Sequence, residues 1–600
     1  MCSRLRYSQQ WTLIRDSNEH KSIRTVLPPG PCVPVSRELL SGLSPIRSLR
    51  AVVRETVGHQ LLEIWDQHCL RKCLNLTALN KHGRVYDDAQ FGCLSWSECE
   101  NKLLYVAEKS THDEESDRSV YCEDWGEALT NKSVPVMCVV NMQSGSVSVL
   151  QGVPPDVSPG QALWAPGSQS VFFVGWYHEP FRLGLKYCSN RRSALFKLDL
   201  DGNCESLSGD NLSVSCPRLS PDGSTLIYQQ GQVFGPHSQC LSLQQLDLKS
   251  GKTSTLLDVV NRPHTGEFAG VYEALPPCCW SADSQRVVNS LKSLMSFVWK
   301  LLTVQKDLMV VCCSSPNTPP TLVRHHFYPT CCDIKLCYSY FLSLSSAGLD
   351  FGAVLVKPSR LLHEAKIPLV VFIHGLHIIK SFSISLWIFL NFGFFLPPVS
   401  LYLVNYRGST GFGQDSILSL IGQIGSQDVK DVQRAVLTVL RMDNTLDPKR
   451  LAVIGGSHGG FLSCHLVGQY PEFYKACAAR NPVINAATLL GTSDIVDWRY
   501  TSVGFQYSYD QIPTAEALAA MLEKSPIRHA AQIKAPVLLM LGGRDKRVSP
   551  HQGLELYKAL KSRALPVRLL WFPEDGHSLS RVDTQVDCFL NTVLWLQQHL

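Results

Sequence analysis

The stretch Arg450-Leu451-Ala452-Val453-Ile454-Gly455-Gly456-Ser457-His458-Gly459-Gly460-Phe461 constrains the chain more than any other. An apolar run of strand length ends at Gly455, and a helical pattern starts just after Ser457. A serine on so sharp a strand-to-helix turn needs neighbours without side chains, so that the two backbones can approach. The helix start also brings backbone N–H groups and a positive dipole end beside the serine oxygen. A Gly-x-Ser-x-Gly match alone is weak, because any glycine-rich loop can produce it. Its place between a strand and a helix makes Ser457 a candidate nucleophile.

A serine nucleophile needs a base, and the base needs an orienting acid. Ala535 to Leu541 reads as a second buried strand, with Asp545 in the loop at its C-terminal end. Val567 to Phe572 reads as a third, followed by Glu574-Asp575-Gly576-His577. Taken singly, Asp545 is a helix-capping or turn aspartate and His577 a surface-loop histidine. Together, Ser457, Asp545 and His577 follow the chain order of an α/β-hydrolase triad. Each lies just past the end of a strand, on the edge where open α/β sheets bind ligands.

A chain of 600 residues suggests about two to four domains. A formal net charge of +5 without a basic block gives nucleic-acid binding no support. The 22 cysteines are scattered, and the adjacent pairs Cys278-Cys279, Cys312-Cys313 and Cys331-Cys332 suit neither a disulfide framework nor a zinc spacing. They read as mostly free, buried thiols in a reducing compartment. No metal cluster, phosphate loop or dinucleotide fingerprint stands out, so no cofactor is expected. The N-terminus lacks the apolar core of a signal peptide. Ser381 to Asn405 carries no charge and is long enough to span a bilayer. Asn391, Gly393 and Pro397-Pro398 interrupt it, so a buried helix followed by a sheet strand is the favoured reading, with no membrane expected.

Residues 1–39 show no clear period and form a poorly defined segment. From about residue 40 a unit recurs: a bulky apolar residue, a tight turn, then a short strand. Its instances start at Leu43, Trp96, Trp164, Leu219 and Trp280. The spacing suits one four-stranded propeller blade per repeat, five or six in all, over residues 40–340. A β-sandwich with chance turn similarity is the alternative. The polar segment from Glu108 to Cys122 reads as a surface excursion. Near residue 340 the pattern changes to strands alternating with helices, which implies a mostly parallel sheet covered on both faces over 341–600. A helix from about Ser426 to Arg441 places Val429, Val432, Val436, Val439 and Leu440 on one face, with Asp428, Lys430 and Asp431 mostly outside. The fold expected is an all-β propeller N-terminal domain plus an α/β-hydrolase C-terminal domain.

Several stretches resemble the acylaminoacyl peptidases of the prolyl oligopeptidase family. They are Asn405-Tyr406-Arg407-Gly408-Ser409-Thr410-Gly411-Phe412-Gly413, the Gly455–Gly460 turn, Arg480-Asn481-Pro482-Val483 and Ser525-Pro526-Ile527-Arg528. The segments around Trp96, Trp164 and Asn190 to Leu195 resemble the propeller of the same proteins. The resemblance implies a serine exopeptidase that releases an N-acylated, often acetylated, residue from a short peptide, with the propeller screening the site. It also implies a cytoplasmic homo-oligomer, often a tetramer. It maps Ser457, Asp545 and His577 onto nucleophile, acid and base. The His458 backbone N–H should donate to the oxyanion, while its side chain is expected to fill space.

Two departures stand out. The family's His-Gly-Gly-Pro is His374-Gly375-Leu376-His377 here, which unsettles the second oxyanion donor, a backbone N–H near Gly375 or Leu376. The N-terminal end is short for the family, as if a blade or its closing strand were missing. Two further readings stay open: another peptidase of the family, of dipeptidyl or prolyl type, and a catalytically impaired propeller–hydrolase binding protein. No Glu-Glu pair for gripping a free amine is evident, which favours a blocked N-terminus.

Overall fold

The computed structural model describes residues 37–600 except 67–68, 111–118, 265–266, 289–297, 306–307, 316–317, 327–338, 347, 359–365 and 376–398, together with four short strands before residue 36. From Glu38 to Leu257 the chain forms four consecutive four-stranded antiparallel sheets, each with its strands in chain order. In each sheet the repeated bulky residue ends the first strand and pairs with a residue at one fixed offset. The pairs are Leu43 with Arg50, Trp96 with Leu103, Trp164 with Val171 and Leu219 with Leu226. Trp280 and Val287 form the same pair as an isolated bridge. A three-stranded sheet, Val298–Gln305, Leu308–Ser315 and Thr318–His326, follows.

The inner sheets are buried on both faces. Along Lys102–Glu108, Leu103 and Tyr105 pack with Val53 and Leu62 of the preceding sheet, while Leu104 and Val106 pack with Val171 and Phe173 of the following one. Phe172 and Leu195 in turn meet Val214 and Leu226 of the fourth sheet. Successive sheets stacked face to face in chain order are the blades of a propeller, and a two-layer sandwich would not bury both faces of an inner sheet in this way.

The second half is built on one eight-stranded sheet. Its strands are β1 (Ser339–Ser346), β2 (Leu349–Val356), β3 (Ile367–Ile373), β4 (Ser400–Asn405), β5 (Leu446–Gly456), β6 (Ala476–Arg480), β7 (Val537–Gly542) and β8 (Val567–Phe572). They lie in the order β1-β2-β4-β3-β5-β6-β7-β8, parallel from β4 to β8, with β1 and β2 antiparallel. The near-continuous apolar runs of β3, β5 and β7 follow from burial on both faces. Val371, Val453 and Leu539 face helices α1 (Gln427–Met442) and α2 (His458–Gln469). Val370, Ala452 and Leu538 face the C-terminal helix through Cys588, Trp595 and Leu596. This is the α/β-hydrolase architecture.

Two expectations need correction. Asp428 and Asp431 are not on the solvent side of α1. Both are buried, because Asp428 bonds the His458 ring and Asp431 holds Arg407 through Nε and Nη2 at 2.8 and 2.7 Å. The described cysteines are free, yet Cys69, Cys73, Cys99, Cys122 and Cys278 are exposed. Within the uncharged stretch, 381–398 lies outside the described residues and Ser400–Asn405 is strand β4. Among the described residues no helix is long and apolar enough to cross a membrane. Most of the Glu108–Cys122 segment also lies outside the described residues.

Breaking the Arg407–Asp431 pair leaves a buried cation without its partner. Asp431→Ala should therefore destabilise the hydrolase unit by roughly 3–5 kcal/mol, read as a shift in its urea-unfolding transition. A shift worth less than about 1 kcal/mol would show that the pair is dispensable.

Candidate active site

Ser457 joins β5 to α2 with φ 57° and ψ −120°, a conformation seldom taken by a residue with a side chain. The motif glycines explain how the turn closes. A Cβ on Gly455 would strike the Gly459 carbonyl, and one on Gly459 would strike the Ile373 carbonyl of β3. Gly456 is roomier: its nearest neighbour would be the Arg480 side chain at 3.6 Å. The two glycines that flank the serine in the motif are therefore the sterically required ones.

The three candidates converge. His577 Nε2 lies 2.9 Å from Ser457 Oγ, and His577 Nδ1 lies 2.6 Å from Asp545 Oδ2. The other carboxylate oxygen of Asp545 accepts the backbone N–H groups of Arg547 at 2.9 Å and Val548 at 2.8 Å. A carboxylate so bonded is held as an acceptor, so His577 carries its proton on Nδ1 and offers a lone pair at Nε2 to the serine hydroxyl. Asp545 is buried, whereas Ser457 and His577 are half-buried and reachable.

His458 follows Ser457 in the first turn of α2, where a backbone N–H has no partner within its own helix. Its ring turns into the interior, with Nε2 2.9 Å from Asp428 and the ring stacked on Phe461 at 4.8 Å. Gly375 leaves the end of β3 directly against the turn: a Cβ there would lie 3.4 Å from the Ser457 Cβ and 3.9 Å from the His458 nitrogen. His374 is buried, its Nε2 3.1 Å from Ser409 Oγ and its ring stacked on Tyr406. Leu376, the other oxyanion candidate, lies outside the described residues.

Two positioning residues were not singled out from the sequence. Asn481 donates Nδ2–H to the His577 carbonyl at 2.8 Å and accepts the Gly542 N–H at 2.8 Å, tying the histidine loop to β7. Glu127, from the propeller, accepts the His577 N–H at 2.8 Å and the Lys546 N–H at 3.1 Å. Burial, and then the nearby Asp545 charge, raise the Glu127 carboxyl above its ordinary value. The propeller thus holds the loops that carry Asp545 and His577. Arg191 strengthens this junction with a forked pair to Asp497 of the hydrolase at 2.7 and 3.2 Å. A cavity opens beside Ser457, lined by Val483, Trp498, Arg499, Ser502 and Val548 among others.

Comparison with known proteins gives a consistent picture. Residues 399–600 match the prolyl oligopeptidase family, and residues 33–121 and 116–296 match the N-terminal domain of acylamino-acid-releasing enzyme. The acylamino-acid-releasing enzyme of Mus musculus is 44% identical over 676 residues, covering 99% of this chain and 92% of its own length. That of Homo sapiens is 44% identical over 677 residues with the same coverage. Among solved structures, the Pyrococcus horikoshii acylaminoacyl peptidase superposes with a TM-score of 0.70 at 17% identity, over 95% of this chain and 89% of that one.

Proposed function

Because the chain belongs to the prolyl oligopeptidase family, alongside the acylamino-acid-releasing enzymes, we propose that it is a serine exopeptidase that releases an N-acyl amino acid from short blocked peptides. The observation that carries this reading is the continuous bonding from Asp545 through His577 to Ser457 at the C-terminal edge of the sheet.

In this mechanism His577 Nε2 takes the Ser457 proton as Oγ attacks the carbonyl of the acylated residue. Asp545 keeps the imidazole in the required tautomer and balances the imidazolium that forms. The oxyanion draws on the His458 N–H, which Gly375 approaches from the end of β3, and on a second backbone donor near Gly375 or Leu376. The imidazolium then protonates the leaving amine, and water attacks the acyl-enzyme with His577 again as base. A propeller over about 40–340 and a hydrolase unit over about 341–600 suit this division of labour, the first admitting only short chains. A cytoplasmic, homo-oligomeric state accords with the same resemblance.

The test compares acetyl-Ala and free-Ala p-nitroanilides. The acetylated substrate should be preferred; preference for the free amine would replace this reading with an aminopeptidase. Glu127→Ala should lower kcat/KM about 10- to 100-fold, mainly through kcat, because a small displacement of the base is costly. An unchanged kcat in the folded variant would show that the propeller contact does not position His577.

A further inference from the structure

Three arginines are buried where the propeller meets the catalytic cavity, and they differ in one respect. Arg191 forks onto Asp497. Arg547 forks onto Asp494 at 3.1 and 3.0 Å and donates its third arm to the Lys186 carbonyl. Among the described residues Arg499 has no bonded carboxylate. Its Nη2 donates to Ser493 Oγ and the Arg547 carbonyl, both at 3.2 Å, and its Nε is buried with no hydrogen-bond partner among the described residues. The residue is 4% exposed and lines the cavity beside Ser457.

The charges nearby are already committed. Asp494 is taken by Arg547 and by the Glu127 N–H, and Asp545 by His577 and two backbone groups. Burial opposes the charge on all three guanidiniums. Asp497 and Asp494 nonetheless carry Arg191 and Arg547 above their ordinary value, whereas burial brings Arg499 down to about 10, with Asp494 only partly opposing it. Arg499 thus stays a cation near neutral pH, desolvated and incompletely paired. A buried guanidinium in that condition favours an anion or a strong acceptor entering the cavity.

The group that reaches a cavity lined by the nucleophile itself is the one attached next to the scissile carbonyl, the side chain of the acylated residue. Val483, Trp498 and Val548 supply apolar walls for its methylenes, and Ser502 adds a hydroxyl. Resting on the exopeptidase reading above, we propose that Arg499 is a specificity-determining residue, and that the cavity takes a first residue with a carboxylate side chain, making N-acyl-glutamyl and N-acyl-aspartyl peptides favoured substrates.

The test measures kcat/KM for acetyl-Glu, acetyl-Gln and acetyl-Ala p-nitroanilides with the wild type and Arg499→Met. Glutamate and glutamine are nearly isosteric, so their ratio reports charge recognition. The wild type should prefer acetyl-Glu over acetyl-Gln by about 10- to 100-fold, as expected for a charge-assisted bond in a desolvated site. In Arg499→Met the ratio should fall to one or below. The wild-type ratio needs no variant to fold, and inhibition by free acetyl-Glu against acetyl-Gln gives a second reading of the same preference. A wild-type ratio of one or less, with acetyl-Ala turned over, overturns the role of Arg499 and leaves the exopeptidase reading standing. No turnover of any acetylated substrate, with Ser457 still reacting with a fluorophosphonate, sinks the exopeptidase reading and this inference with it.

Discussion

Ser457→Ala should lower kcat for an acetyl-aminoacyl p-nitroanilide by about 10⁶-fold, the magnitude seen when a serine peptidase loses its nucleophile. Among the described residues, Ser457 holds the only hydroxyl bonded to His577 Nε2, and its strained backbone presents that hydroxyl at the rim of the sheet. Alanine removes Oγ without adding bulk, so the turn should still close around Gly455 and Gly459. Substrate binding should survive, and KM or product inhibition should change little. A loss of less than about 10³-fold would mean that another group carries out the attack.

Asp545→Asn should cost about 10⁴-fold in kcat, the size known for the same exchange in a chymotrypsin-type triad. The local hydrogen bonds give the reason. One carboxylate oxygen of Asp545 accepts from the Arg547 and Val548 backbone N–H groups. In the amide, the carbonyl oxygen must keep that position, because an NH₂ group would meet two donors. The NH₂ is then turned to His577 Nδ1, which must become the acceptor. The ring proton moves to Nε2, facing Ser457 Oγ, and the histidine can no longer take the serine proton. Activity should fall while folding is nearly unaffected, since the amide fits the same space. A loss under 10-fold would show that the orientation of His577 is set elsewhere, through Glu127 and Asn481.

The convergence of Ser457, Asp545 and His577 was legible because each follows its own strand closely: Ser457 directly after β5, Asp545 in the loop after β7, His577 in the loop after β8. Parallel strands bring such loops to one edge, so local patterns were enough to assemble the site. The blades were legible for a related reason. A bulky residue closing a hairpin at a constant offset recurs from Leu43 to Trp280.

What escaped sequence reasoning depends on contacts between distant segments. Glu127 bonds the His577 N–H across 450 residues, and no local pattern marks it. Asp428 and Asp431 looked solvent-facing because helical periodicity assigns carboxylates to the outside. Their partners, His458 and Arg407, come from other elements and make burial tolerable. Arg499 was passed over because a lone arginine in a short helix carries no signal until its neighbours' carboxylates are seen to be spoken for.

The central claim is that Ser457 is activated by His577 for acyl transfer. The most direct measurement is peptide mapping by mass spectrometry after brief reaction with a fluorophosphonate, with acetyl-Ala p-nitroanilide hydrolysis followed in parallel. The account predicts a stoichiometric adduct on the peptide containing Ser457, hydrolysis lost in proportion to labelling, and neither reaction in His577→Gln. An adduct at another residue, or hydrolysis that persists in fully labelled protein, would contradict it.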